Sequence, residues 1–192
     1  MGIKSELIDI VGSENIFDDA KTLALYAKDR SFSKPITPEY VVKVSSGEEV
    51  EKLVKWANLT KTPLIPVSSG APHFRGDTVP GVPQAVIVDL SGMKKILSIN
   101  KQQRMAVIEP GVTYAELSKA LVKQGMTIAP CLAPKSTKSV VASVLELEPR
   151  LNCIHQWAYT DPLRCTEVTW GDGNRMFTGE AGMAQIDRKS VV

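Results

Sequence analysis

The sequence predicts an α+β fold made of two lobes in succession, the first over residues 1–84 and the second over residues 85–179. The first lobe carries a strand, helix, strand pattern, which is typical of a right-handed βαβ unit with a small parallel sheet. The second lobe carries several short strands around one helix, which favours a mixed or antiparallel sheet. Residues 180–192 show no clear period and are predicted to form a tail.

The elements of the first lobe are predicted from local patterns. Ser46 and Glu49 have the spacing of a helix capping box, and apolar residues at i, i+3, i+4 and i+7 follow them. The predicted elements are helices over residues 5–30 with an irregular join near Gly12, a loop over 31–38, a strand over 40–44, a helix over 47–60 and a strand over 64–67.

The second lobe has two well-marked features, a capped helix and a hairpin turn. Thr113 and Glu116 form a second capping box, and Gly125 gives the stop signal of that helix. Asp172 and Gly173 predict the tight turn of a β-hairpin. The predicted elements are strands at residues 85–90, 95–99 and 105–109, a helix at 113–124, and strands at about 126–129 and 165–170.

Composition and charge argue against several classes of function. The formal net charge is +2 with acids and bases interspersed, so no nucleic-acid-binding face is expected. The three cysteines are odd in number and lack zinc-site spacing, so we expect no metal and take a reducing cytoplasm as the compartment. No apolar run is long enough to span a membrane, and the N-terminus lacks the apolar core of a signal peptide.

A turn of small residues follows the predicted strand at residues 64–67. Open α/β sheets usually bind their ligands beyond the carboxyl ends of such strands. Small residues allow backbone amides to approach a phosphate closely. The sequence therefore predicts a phosphate-binding loop, formed by Val67, Ser68, Ser69, Gly70, Ala71, Pro72 and His73.

Several motifs, in order over residues 5–178, resemble the FAD-binding (PCMH-type) half of the FAD-linked oxidases. These are flavoenzymes of the vanillyl-alcohol oxidase and glycolate oxidase/D-lactate dehydrogenase type. The motifs are the stretch from Pro38 to Val50, the loop at 67–73, Asp89-Leu90-Ser91-Gly92-Met93 and Glu109-Pro110-Gly111-Val112. The resemblance implies that FAD lies between the two lobes, with its diphosphate held by backbone amides of two segments.

The cofactor-binding residues follow from this resemblance. The first segment is the loop at 67–73, and the second falls on residues 132–136 and 141–144. The residues that the resemblance assigns to FAD are Val67, Ser68, Ser69, Gly70, Ala71, Pro72, His73, Pro134, Ser136, Ser139, Ala142, Ser143 and Val168.

The chain departs from the family pattern where the family has glycine. The first segment is usually Arg-Gly-Gly-Gly-Thr-Ser, of which only Gly70 is kept, and the Gly-Gly of the second has become Ser143 and Val144. Pro72 has no amide to donate. A Cβ in such a loop adds strain or moves the phosphate away. A flavin-free structural or regulatory subunit, or a module for another phosphate compound, therefore stays open.

The leading interpretation is an FAD-binding domain or subunit of a flavin-dependent oxidoreductase that acts on a 2-hydroxy acid of the glycolate or D-lactate kind. Family members continue into a cap domain that supplies the substrate pocket, and we expect no such domain within residues 1–192, so no catalytic residue is assigned. The implied partners are FAD, a second polypeptide that carries the substrate domain or an electron acceptor, and a second copy of the chain. Arg75, Lys135 and Lys138 could neutralise the diphosphate or be ordinary exposed cations.

Overall fold

The computed structural model describes residues 2–73, 75–76, 78–129, 136–148, 163 and 165–178. The chain alternates helices with short strands around a four-stranded sheet. Its elements are α1 (Ile3–Val11), a 3-10 turn (Ser13–Asn15), β1 (Ile16–Phe17), α2 (Ala20–Ala27), β2 (Tyr40–Lys43), α3 (Gly47–Thr60), β3 (Leu64–Val67), β4 (Val86–Asp89), β5 (Ile96–Asn100), β6 (Met105–Ile108), α4 (Tyr114–Val122), α5 (Val140–Leu145), β7 (Glu167–Thr169) and β8 (Arg175–Phe177). No helix in these ranges has the length and apolar character that a membrane span needs.

The central sheet has the strand order β1-β2-β4-β3. Strand β4 pairs in parallel with both β2 and β3, while β1 is antiparallel to β2. All four residues of β4 are buried, since the strand has a neighbour on each side and helices cover the sheet. The sequence placed residues 85–90 in the second lobe, and this assignment is wrong because β4 is one of the two inner strands of the first sheet. The division at residue 84 otherwise stays a prediction.

Helix α3 covers the predicted residues, with a modified N-terminal cap. The Ser46 hydroxyl accepts a hydrogen bond from the amide of Glu49 at 3.3 Å, as expected. The Glu49 carboxylate, however, accepts from the amide of Ser45 at 2.7 Å instead of reaching back to Ser46. The buried side of the helix packs on the sheet and on α1 through Leu53, Trp56 and Ala57.

The structure places a short strand inside the predicted N-terminal helical region. Gly12 has a φ of +85° and ends α1, close to the predicted join. Ile16 then pairs with Val42 of β2. The helix prediction is therefore confirmed on both sides and wrong for β1, because pairing with a distant strand overrides the local pattern.

The second half of the chain surrounds α4, whose predicted cap is complete. The Thr113 hydroxyl accepts from the amide of Glu116 at 3.3 Å, and the Glu116 carboxylate accepts from the amide of Thr113 at 2.9 Å. Strands β5 and β6 form an antiparallel pair. The core of this region consists of Val112, Tyr114, Leu117, Leu121, Val140 and Val144.

Two predictions for this half need correction. Residues 126–129 form no strand, and residues 140–145 form the unpredicted helix α5. The Ser139 hydroxyl caps α5 by accepting from the amide of Ala142 at 3.1 Å. The sequence missed the helix because it is short and begins with two β-branched valines, which favour strands.

The predicted hairpin turn is confirmed between β7 and β8. Gly173 has a φ of +84°, and the Asp172 carboxylate accepts from the amide of Asn174 at 2.9 Å. The hairpin packs against α3, where the Arg175 guanidinium donates to Glu48 at 2.7 Å. The β7–β8 hairpin therefore lies against α3, the helix that packs on the first sheet.

We predict that Gly111→Ala strongly destabilises the fold. The Gly111 amide donates to the Met93 carbonyl at 2.8 Å, and a Cβ at this position would lie 2.7 Å from the carbonyl oxygens of Leu90, Ser91 and Met93. Backbone atoms cannot move aside as a flexible side chain can, so we expect a loss of about 3 kcal/mol in the free energy of unfolding. Thermal unfolding measures the loss.

The matched control is Gly81→Ala, because a Cβ there would meet no atom within 4 Å. Its unfolding free energy should change by less than about 1 kcal/mol. Equal stability of the two variants would contradict the close packing of the Gly111 turn.

Candidate phosphate-binding site

Two segments that are distant in the sequence meet beyond the carboxyl end of β3. The amide of Gly70 donates to the carbonyl of Thr137 at 3.0 Å. The amide of Ser139 donates to the hydroxyl of Ser69, also at 3.0 Å, across a separation of 70 residues. The structure therefore brings together the described parts of the two segments that the resemblance implied.

Several hydrogen-bond donors at this junction have no partner within the described part of the chain. They are the backbone amides of Ser68, Ser69 and Ala71 and the buried hydroxyl of Thr137. Pro72 has no amide to contribute, and its peptide bond with Ala71 is cis. Because buried polar groups are normally hydrogen-bonded, we expect the Thr137 hydroxyl to find an acceptor beyond the described residues, such as a ligand oxygen. Amides and a hydroxyl are the donors that a phosphate group requires.

The end of the first segment is anchored to the residues that follow α2. The Asp29 carboxylate accepts from the amide of Gly76 at 2.6 Å and from the amide of Ser31 at 2.9 Å. The amide of Arg30 donates to the carbonyl of His73 at 3.0 Å. Burial acts to raise the pKa of Asp29, but the hydrogen bonds outweigh it and lower this pKa. The ionised carboxylate therefore stabilises the end of the loop.

A buried carboxylate supports the sheet beside the loop. Asp89, which is 3% exposed, lies opposite Val67 in the parallel register of β3 and β4. It accepts from the hydroxyl of Tyr26 at 3.0 Å and from the amide of Ser91 at 2.9 Å. Burial and the Asp89 carboxylate both raise the pKa of Tyr26, so the phenol stays protonated and keeps donating.

The cations near the junction are paired with carboxylates. The Arg75 guanidinium contacts Glu146 at 3.0 Å and Glu148 at 3.1 Å. The Lys138 ammonium contacts the same two carboxylates at 2.6 Å and 3.5 Å. Burial acts to raise the pKa of Glu148, but the Ser143 hydroxyl and the two cations lower it overall. We call Arg75, Lys138, Glu146 and Glu148 the ionic cluster. The two glutamates were not predicted as site residues, because they follow α5, a helix that the sequence did not indicate.

The polar groups around the start of α5 are largely occupied within the chain. The Ser139 hydroxyl, which is fully buried, donates to the carbonyl of Pro110 at 2.5 Å and accepts from the amide of Ala142. The hydroxyl of Ser143, also fully buried, donates to Glu148 at 2.6 Å and accepts from the hydroxyl of Tyr114 at 3.1 Å. The assignment of these serines and of Ala142 to the cofactor stays a prediction.

The other assigned residues have different positions. Val67 is buried at the end of β3, and Ser136 is exposed just before Thr137. Val168 lies in β7, on the hairpin that packs against α3. Pro134 lies outside the described residues.

Comparisons with known proteins agree with this geometry. The family model described as "FAD binding domain" matches residues 38–170, which includes both segments. The chain is 32% identical over 121 residues to D-2-hydroxyglutarate dehydrogenase of Stutzerimonas stutzeri, covering 63% of this chain and 26% of that protein. It is 22% identical over 177 residues to glycolate oxidase subunit GlcD of Bacillus subtilis, covering 92% of this chain and 37% of that protein.

A solved structure has the same fold. The structure of 4-ethylphenol oxidase from Gulosibacter chungangensis, in complex with isoeugenol, superposes with a TM-score of 0.81 at 27% identity. The match covers 94% of this chain and 35% of that protein. The chain thus spans roughly a quarter to just over a third of these proteins. The resemblance is confirmed, and the chain belongs to the FAD-binding domain family of the FAD-linked oxidases, whose cofactor is FAD.

Proposed function

We propose that this chain is the FAD-binding part of a flavin-dependent dehydrogenase that oxidises a 2-hydroxy acid. The observation that carries the proposal is the junction of residues 67–73 with residues 136–139, where unpartnered donors lie beyond the carboxyl end of β3. The substrate class is supported by the names of two relatives, since glycolate and D-2-hydroxyglutarate are both 2-hydroxy acids.

The donor set at the junction fits a diphosphate. The amides of Ser68, Ser69 and Ala71 would hold phosphate oxygens, and the buried Thr137 hydroxyl would donate a further hydrogen bond. The ionic cluster has two cations and two carboxylates, so it adds no net positive charge. Binding would depend on hydrogen bonds more than on charge. A bound flavin supplies a two-electron acceptor, and these residues supply its position.

The substrate-binding groups would come from outside this chain. The relatives are about three to four times longer than the matched part, so a further region of the same protein, a second polypeptide or a second copy of the chain would complete the site. The cytoplasm, expected from the cysteine content, stays a prediction.

A flavin-free structural or regulatory subunit is the second candidate. It is favoured by one observation: the amides of Gly70, Ser139 and Ala142 are used within the chain, so fewer donors are left for a ligand. Flavin binding by the purified chain separates the two candidates.

We predict that the purified protein, mixed with excess FAD and desalted, keeps a visible flavin absorption spectrum. Thr137→Val should weaken FAD binding about ten-fold, because it removes one hydrogen-bond donor to a charged oxygen while keeping the side-chain shape. Thr37→Val, in the exposed loop before β2, is the control and should leave the dissociation constant unchanged. Colourless protein after desalting would favour the flavin-free subunit.

We further predict that the flavin of the FAD-loaded protein is bleached anaerobically by 2-hydroxy acids. Glycolate, D-lactate and D-2-hydroxyglutarate would be compared with acetate, propionate and glutarate, which lack the hydroxyl to be oxidised. The measurement uses the protein that contains this chain together with its substrate-binding part. A flavin that dithionite reduces but none of the hydroxy acids does would contradict the proposed substrate class.

A further inference from the structure

Side-chain hydroxyls connect the two segments of the phosphate site. The Ser69 hydroxyl accepts from the amide of Ser139 at 3.0 Å, which gives that amide its partner. The Ser139 hydroxyl continues the connection to the carbonyl of Pro110 at 2.5 Å. Glycine at position 69 has no side chain and would leave the Ser139 amide unpaired.

A second serine connects the same segments through the ionic cluster. The buried Ser143 hydroxyl donates to one oxygen of Glu148 at 2.6 Å and thereby orients this carboxylate. The other oxygen pairs with Arg75, which follows the first segment, and with Lys138, which lies in the second. Ser143 therefore connects the two segments indirectly, because the carboxylate that it orients pairs with a cation from each of them.

We infer that Ser69 and Ser143 are positioning residues for the cofactor, which fix the separation of the two phosphate-holding segments. This inference rests on the proposed function and deepens it. Both serines occupy places where the family pattern has glycine, and each makes a contact that glycine cannot make. Glycine would leave the backbone flexible at these positions, whereas the serine hydroxyls hold it through hydrogen bonds. The two segments are therefore in place before FAD binds.

The charges agree with a positioning role. Arg75 and Lys138 face Glu146 and Glu148 in pairs, so the ionic cluster is neutral and offers FAD no net attraction. Its effect on binding is geometric. FAD affinity should accordingly change little with salt concentration, in contrast to a site whose cations contact the diphosphate directly.

The test measures the FAD dissociation constant by flavin fluorescence in serine variants. We expect Ser69→Gly and Ser143→Gly, which restore the family pattern, to weaken binding about ten-fold each. Ser5→Gly is the matched serine-to-glycine control, since Ser5 is exposed on α1 and belongs to neither segment, and it should change the constant less than about three-fold. Ser69→Thr keeps the hydroxyl and should retain binding. Ser143→Ala separates loss of the hydroxyl from the added flexibility of glycine.

A second measurement does not depend on FAD. Amide hydrogen exchange of the FAD-free protein should become faster at residues 136–148 in Ser69→Gly, although the substitution lies in the other segment, and stay unchanged in Ser5→Gly. Unchanged exchange in both variants, or FAD binding in Ser69→Gly and Ser143→Gly that equals or exceeds that of the unaltered protein, overturns the inference. Coupled exchange in a protein that binds no FAD would support the positioning contacts and overturn the proposed function.

Discussion

The pair of hydrogen bonds between the two segments is the contact on which the site depends. Gly70 donates to Thr137, and Ser139 donates to Ser69, so the loop after β3 and the start of α5 are held side by side. A phosphate needs several donors in one place, and the backbone of a single short loop offers few of them. The junction collects amides from one segment and a hydroxyl from the other.

The parallel sheet makes this junction possible. Strand β4 enters between β2 and β3, which aligns the carboxyl ends of three strands at one edge. Leu90 then donates to the carbonyl of Val67, and Gly111 packs against the turn after β4 so closely that only glycine fits. Pro110, next to Gly111, accepts from Ser139. The turn after β4, the turn before α4 and the start of α5 are thus linked in a continuous chain of contacts.

Carboxyl side chains stabilise the same region through hydrogen bonds and ion pairs. Asp29 anchors the end of the first segment, Asp89 the end of β4, and Glu148 the ionic cluster. The lowered pKa of Asp29 and that of Glu148 mean that both carboxylates are charged at neutral pH. A flavin diphosphate would meet the donors of the described residues beside a neutral ionic cluster, so that geometry would decide affinity.

Local patterns in the sequence were enough to determine α3, α4, the hairpin turn and the family, because capping residues, turn residues and short motifs act over a few positions. They also predicted the loop at residues 67–73 as the first phosphate-holding segment, and this assignment stays a prediction. Only the tertiary structure decided that β4 belongs to the first sheet, that β1 is a strand, and that α5 exists, since each depends on partners far along the chain. The contacts of Ser69, Ser143, Glu146 and Glu148 likewise depend on partners that only the tertiary structure reveals. The effect of a serine in place of glycine cannot be predicted from the sequence, because it depends on the hydrogen-bond partner of the serine hydroxyl, and that partner is distant in the chain or lies in an unpredicted element.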